Sequence, residues 1–334
     1  MVRRRAEPER KRMMKMLKVS LLMTTCALTA CGATDDDAFE QQTAHASAPL
    51  TSTQPLRVIS HNIEGCPGGH AGNPAYLTSI KNQIDTWQPQ VVGLQEVGWL
   101  QFQNLKNTYE PLGWSLRFES LRRTGPLSDP TSQTLPHPSC TYGQDAPYPQ
   151  GQVLMVHGTL THYEVADLPF VDGDKHFTLQ CGEFRMEGFT KTVRACNTHL
   201  AVAANDDANL NGKRRQLEAI QALTNPHVAS KIVTLTGDFN LQPASVHMDN
   251  IYRLTRGGSH TGDGEFREAD QTDGTYCPNE ACRDMQPTHG NSKLDYVFFN
   301  RQTCDNATLS GGVVPVQSTE SDHDIKRGRC DITG

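Results

Sequence analysis

An α/β sandwich, with mixed β-sheets flanked by helices, is the fold class that this sequence predicts. Three observations carry it. Short runs of β-branched and apolar residues recur between Gly, Pro and polar clusters. Some of these runs alternate with segments of helical period and others follow one another directly, which argues against a purely parallel sheet. Several runs stop at an acid, an amide or an imidazole, as strands do when their ends carry chemistry.

The elements can be read in order. "LRVISHNIEG" is a first strand with polar residues at its C-terminal end. A helix is expected over residues 76–86, with Ile80 and Ile84 on one face and Pro89 after it. "QVVGLQEV" is a second buried strand that ends in Gln95 and Glu96, and residues 99–113 hold another helix. Residues 124–150 are rich in Pro, Ser and Gly and include Cys140, which reads as an ordered, stapled loop. "QVLMVHG" and "EVADLPF" read as neighbouring strands, followed by strands in "KHFTLQC" and "TVRACNTHL". "NGKRRQLEAIQALT" spaces Leu217, Ile220 and Leu223 as a helix does. "KIVTLTGDFN" is a strand broken at Gly237, with Asp238 and Asn240 beyond it. "KLDYVFFN" is a strand with an acid near its start, and "TESDHD" is a loop before the end.

The first part of the 334 residues has a different character. A basic start is followed by the short apolar run "VSLLMTTCALTA", too short for a lasting membrane span. Leu28-Thr29-Ala30-Cys31 resembles a bacterial lipobox, which implies a signal over residues 1–30 and a lipid on Cys31. An ordinary secretory signal is the alternative. Residues 31–55 are small and polar and read as a flexible tether, leaving residues 56–334 as one domain. The resemblance implies an exported lipoprotein of the cell envelope, at the outer membrane or the cell surface. A secreted form goes with the alternative signal.

Removing the eight basic and two acidic residues of the first 31 takes the net charge from −6 to −12. That is not the coat of a protein that grips nucleic acid non-specifically, although a bound metal or a local basic patch can supply the attraction. Eight cysteines remain beyond Cys31, an even number that suggests disulfides in an exported domain. The absence of any CxxC spacing argues against a zinc site of that kind. Eight cysteines allow 105 pairings, and the sequence does not choose among them; one arrangement pairs Cys181 with Cys196 across a hairpin, Cys277 with Cys282 around a small loop, Cys304 with Cys330 at the last strands, and Cys66 with Cys140.

The polar residues at strand ends are Asn62, Glu64, Glu96, His199, Asp238, Asn240, Asp295, Asp322 and His323. Metal-assisted phosphoester cleavage needs this inventory. A hard cation wants oxygen ligands, an attacking water needs a base, and the charge that develops on phosphate needs donors. The ordered motifs "HNIE", "LQEV", "NTHL", "GDFN", "LDYVF" and "SDH" resemble the endonuclease/exonuclease/phosphatase superfamily, the deoxyribonuclease I-like fold, from about Leu56 almost to the end. The resemblance implies a four-layer sandwich of two packed mixed sheets flanked by helices.

It also implies roles for particular residues. Glu96 is the main Mg²⁺ ligand, with Mn²⁺ as a substitute. Asn62 lies beside metal and phosphate, Glu64 near the metal, and Asp322 completes the metal shell. His199 donates to a phosphate oxygen or protonates the leaving group. Asp238 activates the water, and Asn240 holds water or phosphate. His323 contacts the phosphate, with its tautomer set by Asp295. Of the remaining histidines only His289 draws attention, as a residue that orders the loop before Asp295. Arg214 and Arg215 read as structural, on a helix where a basic residue anchors the loop after the His199 strand. Arg117, Arg122 and Arg123 form the best basic cluster, which reads as a solvated face slightly more than as a contact for a polyanion's backbone.

The expected substrate is a phosphodiester, with nucleic acid favoured, and a membrane is met only through the lipid on Cys31. A sphingomyelinase-like phospholipid phosphodiesterase and a small-phosphoester phosphatase are alternatives. A catalytically silent surface module is the alternative of another class. No protein partner is inferred.

Overall fold

In the computed structural model the described residues are 53–333, apart from 67–69, 71, 122–149, 172–175, 203–206, 254–261, 272–282, 284 and 305–306. The leader with Cys31, most of the predicted tether, the loop with Cys140, the Cys277–Cys282 pair, Arg122 and Arg123 lie outside them. Twelve strands are described: β1 (Thr53–Asn62), β2 (Val91–Gly98), β3 (Trp114–Ser120), β4 (Gln150–His157), β5 (His162–Asp167), β6 (Thr178–Phe184), β7 (Val193–His199), β8 (Ile232–Asp238), β9 (Phe266–Glu268), β10 (Asp295–Asn300), β11 (Ser310–Val314) and β12 (Ile325–Thr333). The α-helices are α1 (Thr78–Trp87), α2 (Trp99–Tyr109) and α3 (Asp207–Thr224).

The strands form two six-stranded sheets. One runs β11-β12-β1-β2-β4-β3 and the other β5-β6-β7-β8-β10-β9. Each is antiparallel except for one parallel pair, β1 with β2 and β7 with β8. The central strands have no solvent face. Along β1 and β2 alternate residues go to different cores: Val58 and Val91 pack between the sheets against Ala195, Val297 and Phe299, while Ile59 and Val92 pack with Ile80, Ile84 and Leu105 of α1 and α2. A third core holds Val233 and Leu235 with Leu217 and Ile220 of α3. The layers are therefore helix, sheet, sheet and helix, and two-sided burial explains why these strands read as continuous apolar runs.

Four expectations need correction. β1 begins at Thr53, where Thr53, Gln54 and Pro55 pair with Thr333, Ile332 and Asp331, so three residues of the expected tether belong to the sheet. β4 and β5 are not neighbours. β4 already has β2 and β3 on its two edges, so β5 starts the other sheet. Gly237 does not break its strand. It pairs with Thr198 and Tyr296 inside β8, and a Cβ there would lie 2.4 Å from the Thr198 carbonyl oxygen. Finally, the α-helix α2 ends at Tyr109, and the rest of the expected helix is a single 3-10 turn over Glu110–Leu112. Gln88 ends α1 in the left-handed region, with its N–H on the Ile84 carbonyl, just before Pro89.

The Cys181–Cys196 and Cys304–Cys330 disulfides are both present. The first joins directly opposed residues of the β6–β7 hairpin. Cys66 is also disulfide-bonded.

Candidate active site

Topology brings the strand ends together. β1 and β2 are parallel, so Asn62 and Glu96 finish at one edge of the first sheet. β7 and β8 are parallel, with His199 in register with Asp238. β10 runs against β8, so its first residue, Asp295, pairs with Asp238. β12 runs against β1, with Lys326 opposite Ser60, which brings the segment before it, with Asp322 and His323, back to the end of β1.

The side chains then meet. Asn62 Nδ2 donates to Glu96 Oε1 at 3.3 Å and to Asp238 Oδ2 at 3.0 Å, while its oxygen accepts from the Glu64 N–H. His199 Nε2 lies 3.6 Å from Asp238 Oδ2 and 4.0 Å from Glu96 Oε1. His323 Nε2 lies 3.8 Å from the same Asp238 oxygen, and its Nδ1 is 2.7 Å from Asp295 Oδ2. Asn240 donates its backbone N–H to Asp238 Oδ1, and its amide Nδ2 lies 3.2 Å from His199 Nε2.

The remaining two predicted ligands stand at the rim. Glu64 Oε2 accepts the Asp322 N–H at 3.1 Å, and the Asp322 carboxylate faces His289 and His323. Seven of the nine predicted residues thus share one cluster, and Glu64 and Asp322 adjoin it. Asn62 presents a donor to that cluster rather than an oxygen ligand.

Three of the four non-glycine residues with positive φ among the described residues are Glu64, Glu96 and Asn240. Such conformations cost energy and gather where function demands an aim that a regular strand cannot give. At Glu96 the register of β2 against β4 shifts between Leu94 and Val97, a bulge that turns the carboxylate into the cleft. Gln150 Nε2 donates to Glu96 Oε2 at 3.1 Å, and the Gly65 N–H holds the Glu96 carbonyl at 3.0 Å.

Electrostatics follow from burial. Asp238 is pushed above the usual carboxylate range by burial and by the neighbouring Asp295 charge. Burial opposes protonation of His323, but Asp295 and Asp238 outweigh it and raise the imidazole to about 10. Glu64 is raised by burial and then by Asp322. The Oδ1 of Asp295 is buried without a hydrogen-bond partner. A surplus of buried carboxylate, with the partly exposed Glu96 carboxylate beside it, is compatible with a divalent metal at this edge.

Several supports escaped the sequence reading. Ser321 Oγ donates to the Asn62 carbonyl at 2.7 Å and accepts the His323 N–H at 3.0 Å. His61 is fully buried and lowered to about 3 by that burial. Its ring is neutral, with Nε2 on the His323 carbonyl at 3.1 Å. Thr288 Oγ1 accepts the N–H groups of Leu294 and Asp295, so the side-chain ordering expected of His289 is supplied by its neighbour. Arg214 pairs with Glu218, and Arg215 reaches the Phe170 carbonyl. The site is held instead by their neighbours: Lys213 donates to the Asn240 carbonyl, and Gln216 accepts from the Ala201 N–H. The signal for these was the helical spacing alone, which gives no partner.

Below the site a polar strap joins the sheets. Asn197 Nδ2 donates to the carbonyls of Leu94 and Val153 and to Gln180 Oε1, while its Oδ1 accepts from Gln95 and Thr236. A Cβ on Gly93 would come within 2.5 Å of that oxygen, so glycine is needed for this approach.

No curated protein sequence matches this chain. Solved structures match over most of its length. The human Nocturnin catalytic domain with bound sulfate anion is 17% identical, covering 86% of this chain and 98% of that one, with a TM-score of 0.58. An endonuclease/exonuclease/phosphatase from Bacteroides vulgatus is 16% identical over 84% of this chain and 99% of its own, with a TM-score of 0.57. D. rerio TDP2 complexed with single strand DNA product is 16% identical over 83% and 98%, with a TM-score of 0.56. These likenesses show the deoxyribonuclease I-like fold. The model of the Endonuclease/Exonuclease/phosphatase family matches residues 59–323, a span that takes in all nine clustered and rim residues, and the chain belongs to that family.

Proposed function

We propose that this chain is an exported, metal-dependent phosphodiesterase, and that its substrate is a nucleic acid. One observation carries the reading. Asp238 sits 3.8 Å from an imidazole that Asp295 holds at 2.7 Å, lies 3.6 Å from His199, and shares the Asn62 amide with Glu96. This is a base, two imidazoles and a cation-binding carboxylate around one small space.

Glu96 would hold the cation, which we take to be Mg²⁺, with Glu64 and Asp322 as the rim residues that would complete its shell. When bound, the cation neutralises phosphate charge and polarises the ester. Asp238, made more basic by burial and by Asp295, takes the proton of the attacking water. His323 is an imidazolium there, and its Nε2–H donates to a phosphate oxygen while Nδ1–H stays on Asp295. Asn240 steers the water or phosphate by its amide. His199, once protonated, supplies the proton to the leaving oxygen.

The D. rerio TDP2 neighbour is complexed with single strand DNA product, which supports nucleic acid as the substrate class. A phospholipid phosphodiesterase is the second reading. Val202, three residues past His199 in sequence, is 62% exposed and is an apolar group that a lipid could meet. We further propose that residues 1–30 are a lipoprotein signal and that Cys31 carries the lipid, which places the enzyme in the cell envelope.

The test is hydrolysis in Mg²⁺ of plasmid DNA, RNA, sphingomyelin vesicles and bis(p-nitrophenyl) phosphate, with EDTA and Asp238→Asn as controls. Cleavage of DNA or RNA that both controls abolish supports the nuclease. Cleavage of sphingomyelin alone transfers the function to lipid. No turnover of any ester leaves the surface module.

A further inference from the structure

His289 lies outside the proposed catalytic set, yet its ring is held against that set. A tight turn fixes it. The N–H groups of Thr288 and His289 both reach the Ser292 carbonyl at 2.9 Å, and the Ser292 N–H returns to the His289 carbonyl at 2.8 Å. Gly290 takes the left-handed φ of 54° that the turn requires. His289 is bridged by backbone to His323, and the Asp324 N–H donates to the Thr288 carbonyl at 2.7 Å. The two imidazole rings lie 4.5 Å apart, centroid to centroid.

Their nitrogens converge on one carboxylate. His289 Nε2 is 3.2 Å from Asp322 Oδ2, and His323 Nε2 is 3.8 Å from Asp322 Oδ1. One donor atom from each of the three residues lies within 4.8 Å of the others. In a tetrahedral shell with bonds of about 2.0–2.2 Å, donor atoms sit roughly 3.3–3.6 Å apart. A small side-chain adjustment therefore closes a three-ligand site with its fourth position open to water. Asp295 on Nδ1 of His323 completes a carboxylate–histidine pair of the kind that orients an imidazole toward a metal. Two nitrogens and one carboxylate favour a borderline transition-metal ion over Mg²⁺, which prefers oxygen throughout.

We propose that His289, Asp322 and His323 form a second metal site, selective for Zn²⁺ over Mg²⁺, and that Zn²⁺ bound there inhibits hydrolysis by displacing the Nε2 proton of His323 to solvent and occupying that nitrogen. The inhibitory half rests on the proposed hydrolase function, whereas the binding half does not.

The test is calorimetric titration of the full-length chain with Zn²⁺ in excess Mg²⁺, beside His289→Ala, Asp322→Ala and, as a remote control, His162→Ala. Thermal melts check that each variant is folded. Zn²⁺ inhibition of Mg²⁺-dependent cleavage is read on the same samples. Expected is one Zn²⁺ bound in the presence of Mg²⁺, weakened at least tenfold by either site variant and unchanged by His162→Ala. The inhibition constant of His289→Ala should rise by the same factor. Absence of Zn²⁺ binding in Mg²⁺, or binding that survives His289→Ala in a folded protein, overturns the site. Zn²⁺ bound through His289 without inhibition of an active enzyme overturns the inhibitory half. Zn²⁺ bound through His289 in a protein that cleaves nothing supports the site and rejects the hydrolase reading instead.

Discussion

His323 concentrates the site's electrostatics in one side chain. Its imidazole is buried, yet the paired Asp295 and the nearby Asp238 raise it from 6.5 to about 10. A folded-state value above the unfolded one means that the proton stabilises the fold. That contribution is complete below about pH 6.5 and fades as the pH climbs through about 10. NMR titration should therefore show His323 protonated at neutral pH, and Asp295→Asn should bring its midpoint down by two units or more. The same variant should remove this group's share of the alkaline loss of stability. A His323 midpoint that Asp295→Asn leaves unmoved would contradict the pairing. At the same scale, the strand-end acids were legible in the sequence because a carboxylate that closes a buried apolar run needs a partner. Their helpers were not. Gln150, Ser321, His61 and Thr288 act through backbone and amide contacts with residues as far away as 262 positions, and no local pattern encodes such pairs.

At the scale of elements, the two sheets are held in register beneath the site by the Asn197 strap. Asn197→Ala should cost about 2–4 kcal/mol of unfolding stability, because several buried donors and acceptors lose a partner together. Chemical denaturation measures this, and a loss below about 1 kcal/mol would show that the strap is dispensable. Apolar runs buried on both faces, as in β2 and β8, were easy to recognise. β12 is less legible, since "DIKRGRC" sets Asp324, Lys326, Arg327 and Arg329 within seven residues. Its Lys326 is fully buried and paired with Glu268 and Asp270, and burial lowers the amine to about 8. A lysine whose counter-ions lie more than 50 residues away gives no strand signal in its own neighbourhood. β3 is buried only at Trp114 and Leu116, which leaves a weaker apolar signal than in β2 or β8.

For the whole molecule, the family and the four-layer sandwich were recoverable because six short motifs keep their order along the chain, and the layers give each motif a strand end on the same edge. The last strand is tied back by Cys304–Cys330, which closes 26 residues of chain. Replacing both cysteines with serine should lower stability by about 3 kcal/mol in denaturant titration, by relaxing a constraint on the unfolded chain. An unchanged midpoint would mean that the constraint contributes nothing. The central claim is that distant strand ends make one working site around Asp238. Its most direct test is the Mg²⁺-dependent rate of phosphodiester cleavage by Asp238→Asn, in protein shown to be folded. The account predicts a fall of about 10²–10⁴-fold, as for loss of a general base. A rate within a few-fold of the parent chain would contradict it.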